Sequence, residues 1–263
     1  MRIDFHTHGK LAKKLPFSSQ YTDWLFNEAR RMGLDALCLT EHFNTLGFDE
    51  VYEYISEYYM RDGDSFICEG LRIFPGMEVD IAEGGHILVI GIMEDILEIN
   101  KLLEPNKKKG EFLPFSELIQ LVRGYPVLVG AGHPYREGGN IPSLPKAYLE
   151  QFDFIDLNGK DMAIDSVGNK VLIQKLSKEL GIPYVAGSDT HQSFQYGCIY
   201  NEFNRECRTI KEVGEEMKAG NYTISLSEHI GFQVSTARML KRALKEIHAL
   251  KGDYVSVLVN EVE

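Results

Sequence analysis

Five times in 263 residues, an apolar run of strand length ends in a histidine, a carboxylate or both, and this recurrence limits the possible folds more than any other feature. The first run is Arg2-Ile3-Asp4-Phe5-His6-Thr7-His8. The others are Ala36-Leu37-Cys38-Leu39-Thr40-Glu41-His42, Arg72-Ile73-Phe74-Pro75-Gly76-Met77-Glu78, Pro126-Val127-Leu128-Val129-Gly130-Ala131-Gly132-His133 and Tyr184-Val185-Ala186-Gly187-Ser188-Asp189-Thr190-His191. Residues two apart in a strand point to the same side, so His6 and His8 present two imidazoles together at the end of the first run. If the strands are parallel, all of these side chains gather at one rim.

Between the runs, the pattern switches to helical spacing. A helix is expected over 21–32, with Trp24, Leu25, Ala29 and Met32 on one face and Gly33 as its C-cap. A second, over 48–60, carries Val51, Tyr54, Ile55, Tyr58 and Tyr59 as a core stripe. Strands near 72–80 and 86–92 are joined by Glu83-Gly84-Gly85, which reads as a hairpin and breaks the alternation. Residues 101–110, with Lys107-Lys108-Lys109, read as a solvated loop. Helices follow over 115–122, 165–180 (Val171, Leu172, Leu176 and Leu180 inward), 209–219 and 234–250, with strands over 152–157 and 222–226. Repeated strand–helix units without repeats or linkers predict one α/β domain over 1–263, its sheet closed as a barrel with the chemistry at the strands' C-terminal ends.

Composition narrows the function. A formal net charge of −11 argues against a protein that grips nucleic acid by its phosphates, which requires a basic face. No signal-peptide core or apolar run of membrane-spanning length is present, so the expectation is a soluble, cytoplasmic protein. Cys38, Cys68, Cys198 and Cys207 form no CxxC pair and are expected as buried or free thiols.

The candidate ligands are His6, His8, His42, Glu78, His86, His133, Asp189 and His191. They include six of the chain's eight histidines, leaving out only His229 and His248. Imidazoles and carboxylates without cysteine suit Zn, Mn or Fe with positions left for water. Eight groups are too many for one tetrahedral ion, so two or three divalent ions are implied, with Glu78 and Asp189 able to bridge. Such clusters activate a water and clamp a phosphoryl group. Glu41 either faces away or orients a ligand. Asn158 either donates a hydrogen bond into the site or forms a plain Asn-Gly turn.

Taken in order, His-Thr-His, Thr-Glu-His, Gly-Met-Glu-Val-Asp, Gly-His-Ile-Leu-Val-Ile-Gly, Gly-His-Pro and Gly-Ser-Asp-Thr-His resemble the PHP (polymerase and histidinol phosphatase) family of metal-dependent phosphoesterases. The resemblance implies a distorted TIM-like (β/α)7 barrel and usually three ions. It implies one ion on His6, His8, Glu78 and Asp189, a second on Glu78, His86 and His133, and part of a third on His42 and His191. The family usually adds a ligand from the loop after the first two histidines, but residues 9–19 contain neither Asp nor His. The third ion is therefore expected to bind loosely, with Asp23 as a candidate substitute ligand.

A phosphate also needs cations from the protein. Arg136 is placed for a bidentate contact, and Lys10, Lys13 and Lys14 lie in the loop after the first histidines. The expected reaction is hydrolysis of a small phosphomonoester, such as histidinol phosphate or a nucleotide or sugar phosphate, by a metal-bridging hydroxide. Asp189, His191 and His42 are the catalytic candidates, either histidine protonating the leaving alkoxide when the third ion is absent. The alternatives are an amidohydrolase-like C–N or C–O hydrolase, which expects a bridging lysine, and a non-catalytic metal-stabilised module.

Overall fold

The structure, a computed structural model, describes residues 1–259. Seven strands form a nearly closed barrel-shaped sheet: β1 (Arg2–Thr7), β2 (Ala36–His42), β5 (Leu71–Asp80), β6 (His86–Ile90), β7 (Leu128–Gly132), β8 (Phe154–Asn158) and β9 (Tyr184–Gly187), side by side in that order. A hairpin of β3 (Met60–Asp62) and β4 (Ser65–Cys68), not anticipated from the sequence, is added to the flank of β5. The barrel is distorted because β6 runs antiparallel to both neighbours, whereas the other neighbouring pairs along the sheet run parallel. His86 is the first residue of β6, so reversal brings it to the same rim as the final residues of the parallel strands.

Between β9 and β1, the barrel closes through a single parallel bridge, Thr7 to Thr190. Its main-chain bonds there are His8 N–H to Thr190 O (3.0 Å) and Asp189 N–H to His6 O (2.7 Å). Below this bridge, Asn201 spans the gap. Its amide accepts from Ala186 N (2.8 Å) and donates to Ala186 O (2.9 Å) and Ile3 O (3.0 Å). Asn201 lies on β10 (Ile199–Phe203), a strand the sequence reading did not separate from its surroundings, which pairs antiparallel with β1 and with β11 (Tyr222–Leu226).

Inside the barrel, Ile3, Phe5, Cys38, Phe74, Leu88 and Phe154 form an apolar plug, met from below by Val213 and Met217 of α8 (Ile210–Ala219). Helices α1 (Ser19–Arg31), α2 (Phe48–Tyr58), α3 (Met93–Leu102) and α4 (Phe115–Val122) cover the outer face through Leu25, Ile55, Ile96 and Leu118. The far side is covered by α7 (Ser166–Leu180) and α9 (Ile230–Ala249), between which α6 (Gly159–Ile164) begins directly on the end of β8.

Several expectations are corrected. Helix α3, to which the sequence reading assigned no element, overlaps the segment read as a loop only at Lys101 and Leu102. Asn158-Gly159 opens α6 rather than a plain turn, the Asn158 Oδ1 accepting from Lys160 N (3.0 Å) as an N-cap, while its Nδ2 donates into the site as the other reading expected, to Asp156 Oδ2 (2.9 Å) beside His6. On α7, Val171 and Leu172 are exposed while Ile173 and Leu176 are buried, so the inward face is rotated from the expected one. Tyr58 is exposed, and the phenols of Tyr54 and Tyr59 both donate to Asp23, which removes Asp23 from the list of substitute ligands. All four cysteines are free and buried. Among the described residues, no helix is long and apolar enough to cross a membrane.

Candidate metal centre

The centre begins with an irregularity in β1. Ile3 pairs with Ala36 and Thr7 with Leu39, four residues advancing against three on β2, so β1 carries a bulge between Asp4 and Thr7. Without it, strict alternation would put His6 on the face opposite Phe5, away from the barrel interior. With the extra residue, Phe5 fills the plug while His6 and His8 turn to the rim, the re-aiming that bulges commonly provide beside active sites. Gly187 on β9 allows this approach. A Cβ there would lie 2.4 Å from His6 Cβ and 2.6 Å from Asp156 Oδ1.

The side chains converge on Glu78. Its Oε1 lies 3.5 Å from His6 Nε2 and 3.1 Å from His133 Nε2, and is in contact with His86 Nδ1. Its Oε2 lies 2.6 Å from His42 Nδ1 and 3.6 Å from His8 Nε2. Asp189 approaches from the other side, Oδ1 standing 3.4 Å from His8 Nε2 and 4.0 Å from His6 Nε2. His191 packs edge-on against His8 with ring centroids 4.0 Å apart. Compact sets of ligand atoms are formed by His6, His8 and Asp189, by His6, Glu78 and His133, and by His8, His42 and His191. His8 therefore stands beside His42 and His191 as well as in the first set. His86 sits at the edge, between Glu78 and Asp80 (Nε2 to Oδ1, 2.9 Å).

The donor set fits divalent ions. His6 Nε2, both ring nitrogens of His8, Glu78 Oε2 and His191 Nδ1 are buried without hydrogen-bond partners, and His42 Nδ1 is close to Glu78 but out of line for a hydrogen bond. Orphaned polar atoms of this kind are costly unless something else satisfies them. Cations shared among these atoms would do so.

Charges around the cluster are set by burial and by each other. Glu78, though buried, is held well below the usual carboxylate range by the His86 and His6 charges. Burial alone would lower His86, but Glu78 and Asp80 outweigh it and raise it to about 9. His42 is pushed down to about 4 by burial, and His133 and His191 are also lowered by burial, so these three stay neutral. Asp189 is buried yet held well below its ordinary value by Lys160 and Arg136.

Several supporting residues were not identified from the sequence. Asp156 accepts from His6 Nδ1 (2.9 Å) and from His133 N (3.2 Å), orienting one imidazole and the backbone that carries another. Asp4, raised to about 7 by burial, ties His6 N (3.1 Å) to Ser188 N (2.9 Å). Strand period could have found Asp156, two residues before Asn158 on a regular strand, whereas the bulge in β1 breaks the same period between Asp4 and His6. His133 and Asp189 have φ of 29° and 58°, a left-handed backbone uncommon for non-glycine residues that marks locally stored strain. Glu41 accepts from Gly9 N (3.1 Å) and Lys10 N (3.2 Å), with Oε1 3.6 Å from His8 Nδ1, so it orients the loop and a ligand histidine.

The cations are redistributed. Arg136 Nη1 donates to Asp189 (2.8 Å), Nε to Asp161 (2.9 Å) and Nη2 to Asn158 Oδ1 (2.7 Å). Lys160, overlooked in the sequence, lies 2.7 Å from Asp189 Oδ1. Lys13 pairs with Asp80 (3.1 Å) at the His86 edge. Lys10 is corrected: it is buried, its ammonium donating to Thr45 Oγ1 (3.1 Å) and Leu46 O, away from the cluster. Lys14 is exposed.

A barrel-shaped sheet with a rim of imidazoles and carboxylates is the arrangement of a metal-dependent hydrolase. The sequence matches the PHP domain over residues 4–169 and the PHP-associated region over 172–222, so the chain belongs to the PHP domain family, a family of metal-dependent phosphoesterases. It is 27% identical over 236 residues to a probable phosphatase of Thermoanaerobacter pseudethanolicus, covering 81% of this chain and 86% of that protein. A probable phosphatase of Clostridium novyi is 28% identical over 205 residues, covering 74% and 81%. Among solved structures, PsfC from Pseudomonas syringae PB-5123 aligns with a TM-score of 0.76 at 21% identity, over 92% of this chain and 98% of that one. A lesion-specific endonuclease from Pyrococcus furiosus aligns with a TM-score of 0.63 at 18% identity, over 85% of this chain and 57% of that one.

Proposed function

We propose that the protein hydrolyses a small phosphomonoester with two or three divalent ions, Zn, Mn or Fe. The observation that carries this reading is the convergence of Glu78, Asp189 and six imidazoles beneath two cations, Arg136 and Lys160. His6, His8, Glu78 and Asp189 would hold one ion, Glu78, His133 and His86 a second, and His42 and His191 a looser third with His8. When bound, the ions would lower the pKa of a water and neutralise charge on the phosphoryl oxygens.

The remaining chemistry belongs to side chains. Arg136 and Lys160 neutralise Asp189 here. Once a cation takes over that task, both can turn their N–H groups to a phosphate, Arg136 with a planar fork and Lys160 as a point charge. His42 and His191, kept neutral by burial, suit ion ligation better than proton donation. Glu78 fills the place in which an amidohydrolase-like enzyme would use a bridging lysine, and the full set of eight ligand side chains disfavours a non-catalytic module. Although one structural neighbour acts on damaged DNA, the net charge of −11 and a rim cavity of about 600 Å³ favour a small substrate.

Metal analysis and a phosphoester panel test the reading together. Purified protein should bind at least two equivalents of Zn, Mn or Fe and hydrolyse phosphomonoesters only when loaded. Asp189→Asn should lower kcat by several orders of magnitude with the fold retained. One equivalent or fewer after supplementation, or turnover of carboxamides with phosphoesters untouched, overturns it.

A further inference from the structure

Lys160 and Arg238 line two cavities that open beside the cluster. The larger, about 600 Å³, mixes charges: Arg136, Lys160 and Arg238 face Glu137, Asp161 and Asp165. The smaller, about 230 Å³, is lined by Lys160, Arg238 and Lys241 together with His191, Gln192 and Gln195, and contains no carboxylate. In a chain with 39 acidic residues against 28 basic ones, three cations around one carboxylate-free hollow are a marked departure.

The hollow is built by α9. Val234 and Ala237 are buried against the barrel, and Arg238 and Lys241 continue the same helical stripe over the cavity, one turn apart. Neither Arg238 nor Lys241 forms an ion pair among the described residues, whereas Lys160 pairs with Asp189. Lys241 is half-buried and no carboxylate pairs directly with its ammonium, so a bound anion would supply the direct partner it lacks here. A cavity of this size accepts one anionic group.

We propose that this hollow is a second anion subsite, and that the substrate carries, besides the scissile phosphate, another phosphate or carboxylate held by Lys160, Arg238 and Lys241. The inference rests on the phosphomonoesterase reading above and narrows it to substrates that carry two separate anionic groups. Lys160 links the two positions, since it reaches Asp189 at the cluster and lines the hollow as well.

Two substrate pairs with matched scissile esters test it: fructose 1,6-bisphosphate against fructose 6-phosphate, and 3-phosphoglycerate against glycerol 3-phosphate. The first pair adds a phosphate as the second anion and the second a carboxylate. With ion-loaded full-length protein, at least one doubly anionic member should have a kcat/KM tenfold or more above its partner. Lys241→Gln and Arg238→Gln should each cut that ratio at least threefold and the double variant tenfold, whereas Lys241→Arg should keep it. Metal content and circular dichroism of each variant separate this from misfolding. Turnover of all four compounds with ratios near one, or ratios unmoved in the double variant, overturns the subsite and leaves the phosphomonoesterase reading standing. If no compound is turned over, the phosphoester panel decides that reading, and calorimetry on ion-loaded protein decides the subsite. Tenfold tighter binding of a doubly anionic member than of its partner supports it, and equal affinities within both pairs overturn it.

Discussion

Replacing Glu78 by Gln keeps the shape of the side chain and removes the one charge within reach of five imidazoles. In the ion-loaded protein, Glu78 is read as a ligand to two ions. If two ions are each held at a free concentration a hundredfold above Kd, each stabilises the fold by about 2.7 kcal/mol, together about 5 kcal/mol. At about 2 °C per kcal/mol for a domain of this size, the melting temperature should rise by about 10 °C on loading. A hundredfold weaker Kd at both sites would leave about 0.4 kcal/mol from each ion, a rise of about 2 °C. The assay is thermal unfolding of chelated protein with and without a fixed excess of Zn or Mn, with bound metal measured in parallel. Glu78→Gln should lose most of the shift, and more of it than any single histidine variant. A shift within about 2 °C of wild type, or one histidine that matters more, would refute the bridging role.

Other outcomes follow from the same contacts. Asp156→Asn, which disturbs the His6 Nδ1 and His133 N partner, should weaken ion binding by about 10- to 100-fold while barely changing the melting temperature of chelated protein. Asn201→Ala leaves Ala186 N–H and two carbonyls without partners and should cost on the order of 3 kcal/mol in urea unfolding. In ion-free protein, His86 is raised to about 9, so its contribution to stability is complete below pH 6.5 and fades as pH rises through 9. The stability difference between wild type and His86→Gln should therefore shrink over that window, and a difference that grows would reverse the sign of the argument. Comparing with the variant cancels the opposite trend from Lys241, which burial lowers to about 7.

What could be read from the sequence was whatever depends on local period and punctuation. The two-residue spacing of His6 and His8, the glycines between β5 and β6, and Gly220 at the end of α8 each carry their structural meaning in a few neighbouring letters. Three features did not. The bulge in β1 is set by pairing with β2, so the letters of β1 alone read as a regular strand. Ile199–Phe203 is a strand because it pairs with β1 and β11, and its Asn201 bonds Ala186 and Ile3, partners 15 and 198 residues away. Lys160, Arg238 and Lys241 come from helices whose position over the rim depends on barrel closure, and nothing in their own spacing says which residue they will face. Lys10 shows the converse error: nearness in sequence to His8 suggested nearness to substrate, but Thr45 and Leu46 hold its ammonium elsewhere.

The single bridge between Thr7 and Thr190 makes the joint between first and last barrel strands the thinnest in the sheet. Its two sides carry His6 on one strand with His8 just past its end, and Asp189 and His191 on the loop leaving the other. An ion gripped from both sides would act there as a clasp, replacing the ladder of amide bonds that other strand pairs possess. Metal load would then govern how often the barrel breathes at this joint: amide exchange at His8 and Asp189 should quicken on chelation well before the β2–β5 pair loosens. For such an enzyme, starvation for metal would be felt as proteolytic susceptibility as well as lost turnover, because the clasp and the catalyst are the same atoms.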